Sequence, residues 1–150
     1  MCSARTSGAK VFGTGSRSQI RAAVKAGLIV YGEVGSKETL SNPGLLIGQA
    51  ELCFEAGAAL VLVEAAELVS KGKLIQKTID LLTRSLDMSR VMIELPGPWI
   101  SDVRSCDIED MKKALVQELG PEVNLANVPP ASIIDTEATR TGLGTAGPPK

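Results

Sequence analysis

Charged residues follow apolar stretches at three places in the chain. Glu33 and Lys37 come after the apolar run at residues 28–31, where a glycine-containing loop begins. Glu64 ends a second apolar run and Glu94 ends a third. A carboxylate or an ammonium group that leaves a buried strand is costly unless it pairs, binds a metal or takes part in chemistry. The repetition of this arrangement indicates a site rather than scattered surface charge.

The composition excludes several kinds of chemistry. The chain contains no histidine, which removes Ser-His-Asp triads, Cys-His pairs and histidine-ligated zinc. Acid–base work therefore falls to Lys, Glu, Asp or a metal-bound water, and oxygen ligands favour Mg²⁺ or Mn²⁺. Because the net charge is −1 and only 3% of the residues are aromatic, we expect neither a nucleic acid nor an anionic membrane surface as a partner.

The cysteines point to a reducing compartment. Cys2, Cys53 and Cys106 follow neither a disulfide framework nor a metal-finger spacing. Cys53 falls within a predicted helix and is expected to be a small buried apolar residue. The N-terminus has no apolar stretch of signal-peptide length, and no segment reaches the roughly 18 apolar residues of a membrane span. These features predict a cytoplasmic protein.

The length of 150 residues suits one domain with a real core. We predict one domain at residues 10–142, between flexible tails at 1–9 and 143–150. Apolar composition predicts strands at 28–31, 58–65, 91–95 and 123–127, with a further short strand at 10–15. Helical spacing and capping signals predict helices at 18–26, 45–56, 73–86, 108–119 and 130–140.

The alternation of apolar strands with helices predicts an α/β fold with a parallel sheet covered by helices. In such folds, ligands gather at the carboxyl ends of the strands. The predicted strand ends carry Glu33 with Lys37, Glu64 with Glu67, Glu94, and Asn124 with Asn127. The sequence therefore predicts a carboxylate-rich site with one lysine and two amides.

Three motifs resemble those of a known family. Residues 120–143, GPEVNLANVPPASIIDTEATRTGL, are similar to a late segment in which an NLAN or NLGN strand end precedes a Glu-Thr-Leu-Arg-Arg-Gly helix. Residues 33–37, EVGSK, are similar to Glu-Val-Gly-Lys-Lys, and residues 56–67, AGAALVLVEAAE, to an Ala-Gly-Ala strand ending in Glu-x-Arg-Glu-Ser-Gly. In this order, over about residues 18–144, they resemble the phosphosulfolactate synthases and their heat-stress-associated plant relatives.

The resemblance implies a parallel (β/α) barrel of the TIM type, of which this chain would be a C-terminal part with four to five βα units. It also implies a lyase of coenzyme M biosynthesis that adds sulfite to phosphoenolpyruvate with Mg²⁺. The implied catalytic residues are Lys37, as general acid, and Glu33. The implied metal ligands are Glu33, Glu64 and Glu94, and the implied contacts to the small anionic substrates are Glu67, Asn124, Asn127 and Arg140.

Departures from the family pattern leave other functions open. Ser36 replaces the first lysine of the Glu-Val-Gly-Lys-Lys motif. The Arg, Ser and Gly of the second motif are replaced here by Ala66, Leu68 and Val69. Of the arginines in the late segment, Arg140 alone remains. One alternative is a catalytically degenerate homologue that serves as a stress-associated or assembly protein. Another is a barrel that acts on a different phosphorylated small acid. Because a partial barrel leaves open sheet edges, we also expect a homo-oligomer.

Overall fold

The computed structural model describes residues 3–6, 17–35, 42–70, 73–97 and 103–143. Lys37 and the strand expected at 10–15 lie outside these residues. The described strands are β1 (Ser3–Thr6), β2 (Val30–Val34), β3 (Leu60–Glu64), β4 (Val69–Ser70), β5 (Lys73–Leu74), β6 (Val91–Glu94) and β7 (Asn124–Ala126). The described helices are α1 (Arg17–Lys25), α2 (Pro43–Glu55), α3 (Gln76–Ser85), α4 (Ser105–Leu119) and α5 (Ile133–Arg140).

One sheet organises the fold. Its strand order is β1-β2-β3-β6-β7, in which β2, β3, β6 and β7 are parallel neighbours and β1 pairs antiparallel with β2. A helix separates each parallel strand from the next along the chain. This βα alternation confirms the predicted α/β class and is the arrangement of a partial (β/α) barrel.

The core lies between the helices and one face of the sheet. Val61, Val63 and Ile93 are fully buried there, with Leu46 of α2 and Leu115 of α4 in the same apolar cluster. Because side chains alternate along a strand, the residues between these valines and isoleucines point to the opposite face. That opposite face carries the glutamates at the strand ends.

Local capping explains where two helices begin. Asn42 accepts a hydrogen bond from the backbone N–H of Gly44 (2.9 Å) and Pro43 is the first residue of α2, as the Asn-Pro-Gly turn predicts. Asp107, expected to precede α4, instead lies inside the first turn of that helix. It accepts hydrogen bonds from the backbone N–H of Arg104 (2.9 Å) and from the guanidinium of Arg104 (2.9 Å). The helix therefore begins earlier than the apolar spacing indicated.

Two other segments differ from the sequence-based expectation. Residues 3–6, expected to belong to a flexible tail, form β1 along the edge of β2. Lys73–Leu74, expected to be helical, pairs with Val69–Ser70, and the backbone N–H of Ile75 donates to Leu68 (2.8 Å). The pairing of β4 with β5 and the bond from Ile75 to Leu68 thus replace the helical hydrogen bonds that residues 73–75 would have made. Helix α3 therefore begins only at Gln76.

Cys53 is fully buried on α2, as predicted, but it is disulfide-bonded, although the spacing of the cysteines indicated no disulfide framework. Cys106 is free and exposed. None of the helices in the described part of the chain is long and apolar enough to cross a membrane.

Candidate metal centre

The structure brings three strand-end glutamates together. Glu33 is the fourth residue of β2, and Glu64 and Glu94 are the last residues of β3 and β6. The register pairs Glu64 with Glu94 and pairs Glu33 with Leu62, two residues before Glu64. All three side chains therefore lie on the same face. One carboxylate oxygen from each lies within 4.8 Å of the others, as the parallel arrangement predicted.

These carboxylates are largely removed from solvent. Glu64 is 5% exposed and Glu94 is 3% exposed, while Glu33 is half-buried. Like charges this close, with little water around them, raise each other's energy unless a cation or a proton offsets the charge. The cluster is therefore suited to hold positive charge.

A fourth glutamate, which is buried, lies beside the cluster. Glu67, in the short 3₁₀ turn after β3, is 2% exposed. A Cβ atom at Gly35 would lie 2.9 Å from the Cγ of Glu67 and 3.2 Å from the Cβ of Glu64. Gly35 has φ of +103°, a conformation that residues with a side chain rarely adopt. A glycine is therefore needed where the chain leaves β2, so that both glutamates can approach its backbone.

Asn127 connects the fourth parallel strand to the cluster. Its side-chain Nδ2 donates to Oε1 of Glu94 (3.1 Å) and to the carbonyl of Leu95 (3.1 Å). The residue directly follows β7 and has φ of +60°, in the left-handed region that asparagine tolerates better than most residues. The carboxyl ends of β2, β3, β6 and β7 therefore all contribute to one site, as predicted.

Two predicted site residues lie at the other end of the sheet. Asn124 begins β7, and its Nδ2 donates to the carbonyls of Ser89 (3.2 Å) and Val91 (3.0 Å) where β6 starts. Arg140 ends α5, donates to the carbonyl of Pro121 and forms an ion pair with Glu137 (3.2 Å). Asn124 and Arg140 line one cleft of about 430 Å³ at this amino end. The prediction that they share a site with the glutamates is wrong.

The reasons for these two errors are geometric. A strand runs from the amino end of a parallel sheet to its carboxyl end. The first and last residues of a motif as short as NLAN can therefore lie at opposite ends of the strands. A helix that follows a parallel strand runs back toward the amino end, so the last turn of α5 carries Arg140 away from the glutamates.

The glutamate cluster fits a divalent cation that prefers oxygen ligands. Two oxygens bound to one Mg²⁺ at about 2.1 Å lie about 3 to 4 Å from each other. The observed spacing, with all three oxygens within 4.8 Å, is close to that requirement. Three carboxylates on three different strands would hold such an ion against a rigid sheet.

Sequence reasoning missed the structural role of Gly35 and the partner of Asn127. The close approach of Gly35 to Glu64 and Glu67 leaves no sign in the sequence, because these residues meet only when β2 and β3 pair. Asn127 did carry a signal, since asparagine tolerates positive φ and the Pro-Pro pair that follows at 129–130 marks a turn.

The fold and the site together define a partial (β/α) barrel with a carboxylate cluster at the carboxyl ends of its strands. A sequence model of the family described as (2R)-phospho-3-sulfolactate synthase (ComA) matches residues 12–145. The chain therefore belongs to the phosphosulfolactate synthase family, as its motifs indicated.

Two curated relatives carry the name phosphosulfolactate synthase. The protein from Methanothermobacter thermautotrophicus is 30% identical over 135 residues, which cover 83% of this chain and 48% of the relative. The protein from Bacillus subtilis is 31% identical over 96 residues, which cover 59% of this chain and 34% of the relative. The chain thus spans half or less of the length of these relatives.

Proposed function

We propose that this chain carries the metal-binding part of a phosphosulfolactate synthase-type lyase, which adds sulfite to phosphoenolpyruvate. The observation that carries the proposal is the convergence of Glu33, Glu64 and Glu94, with one oxygen from each within 4.8 Å of the others. Family membership supports the same reaction, since both relatives bear the name of that activity.

Each residue would have a defined task. Glu33, Glu64 and Glu94 would hold Mg²⁺ through carboxylate oxygens. The bound ion would supply positive charge against the negative charge that develops on the substrate carboxylate. The sulfur of sulfite forms a bond to the methylene carbon of phosphoenolpyruvate. Lys37 would then donate its ammonium proton to the adjacent carbon, which completes phosphosulfolactate.

The burial of the glutamates supports this chemistry in a second way. Glu64, Glu67 and Glu94 are each no more than 5% exposed, so a cation among them is attracted more strongly than it would be in water. A negatively charged lining alone would repel two anionic substrates. The proposal therefore requires that Mg²⁺ and Lys37 together offset the glutamate charges before substrate binds.

The decisive experiment measures sulfite- and Mg²⁺-dependent consumption of phosphoenolpyruvate by the purified chain. The variant Lys37→Met keeps the length of the side chain and removes the proton, so the rate should fall by about a hundredfold or more. Lys25→Met is the matched control, since Lys25 lies at the exposed end of α1. Full activity in Lys37→Met would discard this lysine as the acid. A wild-type chain without activity would contradict the proposed reaction.

A second candidate function is a catalytically degenerate family member that acts through association. The position of Arg140 favours it, because the arginine that the motifs retain lies at the opposite end from the glutamates. Three apolar side chains on α5 and just after it are also exposed: Ile133, Ile134 and Leu143 are 52%, 82% and 84% exposed. Among the described residues, β7 pairs with β6 alone, and an open edge of this kind favours pairing with another chain.

Light scattering tests this candidate. A complex of two or more copies that dissociates in Ile134→Ser would support it, and Leu45→Ser is the matched control because Leu45 is 57% exposed on α2. A wild-type chain that remains monomeric at all concentrations would exclude self-association as its role.

A further inference from the structure

The two asparagines of the NLAN segment make parallel contacts at opposite ends of β6. Asn124 donates to the carbonyls of Ser89 and Val91, where β6 begins. Asn127 donates to the carbonyl of Leu95 and to the carboxylate of Glu94, where β6 ends. Only the second asparagine reaches a side chain of the glutamate cluster.

The side-chain amide of Asn127 has no N–H group left for a ligand. An amide nitrogen carries two hydrogens, and here one is directed at Glu94 and the other at Leu95, each at 3.1 Å. Both partners are acceptors, so the amide nitrogen of Asn127, and not its oxygen, must face Glu94 and the carbonyl of Leu95. An anionic substrate binds through hydrogen-bond donors, and both N–H groups of the Asn127 side chain already donate to Glu94 and Leu95.

The backbone around Asn127 also holds the amide in place. The N–H of Leu95 donates to the carbonyl of Ala126 (3.2 Å), which continues the ladder between β6 and β7. The amide then bonds to the carbonyl of Leu95, so it extends this ladder by one step. The left-handed conformation of Asn127, with φ of +60°, turns the chain while the side chain remains over β6.

We infer that Asn127 is a positioning residue that orients the carboxylate of Glu94 toward Glu33 and Glu64, rather than a residue that binds substrate. Its hydrogen bond to one oxygen of Glu94 fixes the rotation of a carboxylate that is 3% exposed. Hydrogen bonds from neighbouring groups to metal ligands commonly determine ligand geometry and affinity. The link to a cation rests on the proposed function, whereas the orientation of Glu94 does not.

The test compares Asn127→Gly with Asn124→Ala in the full chain. Glycine adopts a φ of +60° readily, so Asn127→Gly removes the amide and keeps the turn. Asn124→Ala removes an amide with two similar bonds at the far end of the same strand. The two variants therefore separate a general weakening of β7 from a loss of control over Glu94.

Mn²⁺ binding, followed by electron paramagnetic resonance without substrates, provides the first measurement. Asn127→Gly should weaken the affinity about 10- to 100-fold, and Asn124→Ala should leave it within about twofold of the wild type. Equal affinity in Asn127→Gly and the wild type would overturn the inference. An equal loss in both variants would also overturn it, since the effect would then be that of strand stability.

The second measurement needs no metal. In crystals of Asn127→Gly grown without divalent cations, the carboxylate of Glu94 should leave the position beside Glu33 and Glu64 that it holds in wild-type crystals. A carboxylate that stays in place would overturn the inference. If the wild type fails to bind Mn²⁺, the proposed metal site is wrong, and the position of Glu94 alone decides whether Asn127 orients it.

Discussion

Replacing Gly35 by alanine should destabilise the protein through two separable effects. The first is backbone strain, because Gly35 has φ of +103° and a residue with a side chain in such a region loses about 1 to 3 kcal/mol. The second is overpacking, because the new Cβ would lie 2.9 Å from the Cγ of Glu67 and 3.2 Å from the Cβ of Glu64. Overpacking of this kind costs about 1 to 3 kcal/mol.

Gly27 provides the control that isolates the strain. It has φ of +82°, and nothing lies within 4 Å of the Cβ that alanine would add. Gly27→Ala should therefore lower the free energy of unfolding by the strain alone, about 1 to 3 kcal/mol. Gly35→Ala should lower it by about 2 to 6 kcal/mol, the sum of strain and overpacking.

Urea unfolding followed by circular dichroism, at one protein concentration for all variants, measures both changes. The informative quantity is the difference between the two alanine variants, expected at about 1 to 3 kcal/mol. Glu67 is 2% exposed, so its side chain has little room to move away from the new methyl group. Equal destabilisation by Gly35→Ala and Gly27→Ala would refute the conclusion that Gly35 is required for the approach of the glutamates.

Two further predictions concern α4. Lys112 is 1% exposed and forms an ion pair with Glu109 at 2.6 Å. Glu109→Gln leaves the buried ammonium without its partner and should lower the free energy of unfolding by about 1 to 3 kcal/mol, whereas Lys112→Met removes the buried charge and should leave that free energy unchanged or higher. Urea unfolding in which Lys112→Met is the more destabilised variant would contradict this. Hydrogen bonds from Arg104 lower the pKa of Asp107 from 3.8 to about 2, so its support of the helix start is complete above about pH 4 and is lost as the pH falls through 2. An NMR titration of the Asp107 carboxyl with a midpoint near 4 would disprove that pairing.

Much of the fold could be predicted from the sequence because the signals are local. The apolar runs that became β3 and β6, and the Asn-Pro-Gly turn that begins α2, depend on neighbouring residues and on burial of an apolar face. The expectation that Glu33, Glu64 and Glu94 converge follows from the same local pattern. Neighbouring parallel strands have their carboxyl ends at the same end of the sheet. Residues at those strand ends therefore lie close to one another.

Other features depended on contacts between distant parts of the chain. The pairing of residues 3–6 with β2 needs a partner strand more than twenty residues away, and four polar or small residues carry no strand signal of their own. The bonds of Asn127 to Glu94 and the close approach of Gly35 to Glu67 likewise exist only after the strands have aligned.

The sequence by itself therefore determined the α/β class, the family motifs and the three glutamates at or next to the strand ends. Only the tertiary structure decided which of the remaining polar residues join them. Asn124 and Asn127 are identical in type and three positions apart, yet one lies at each end of β6. The reason is that the end of the sheet a side chain occupies is fixed by strand register and direction, which are properties of the assembled sheet and not of the residue.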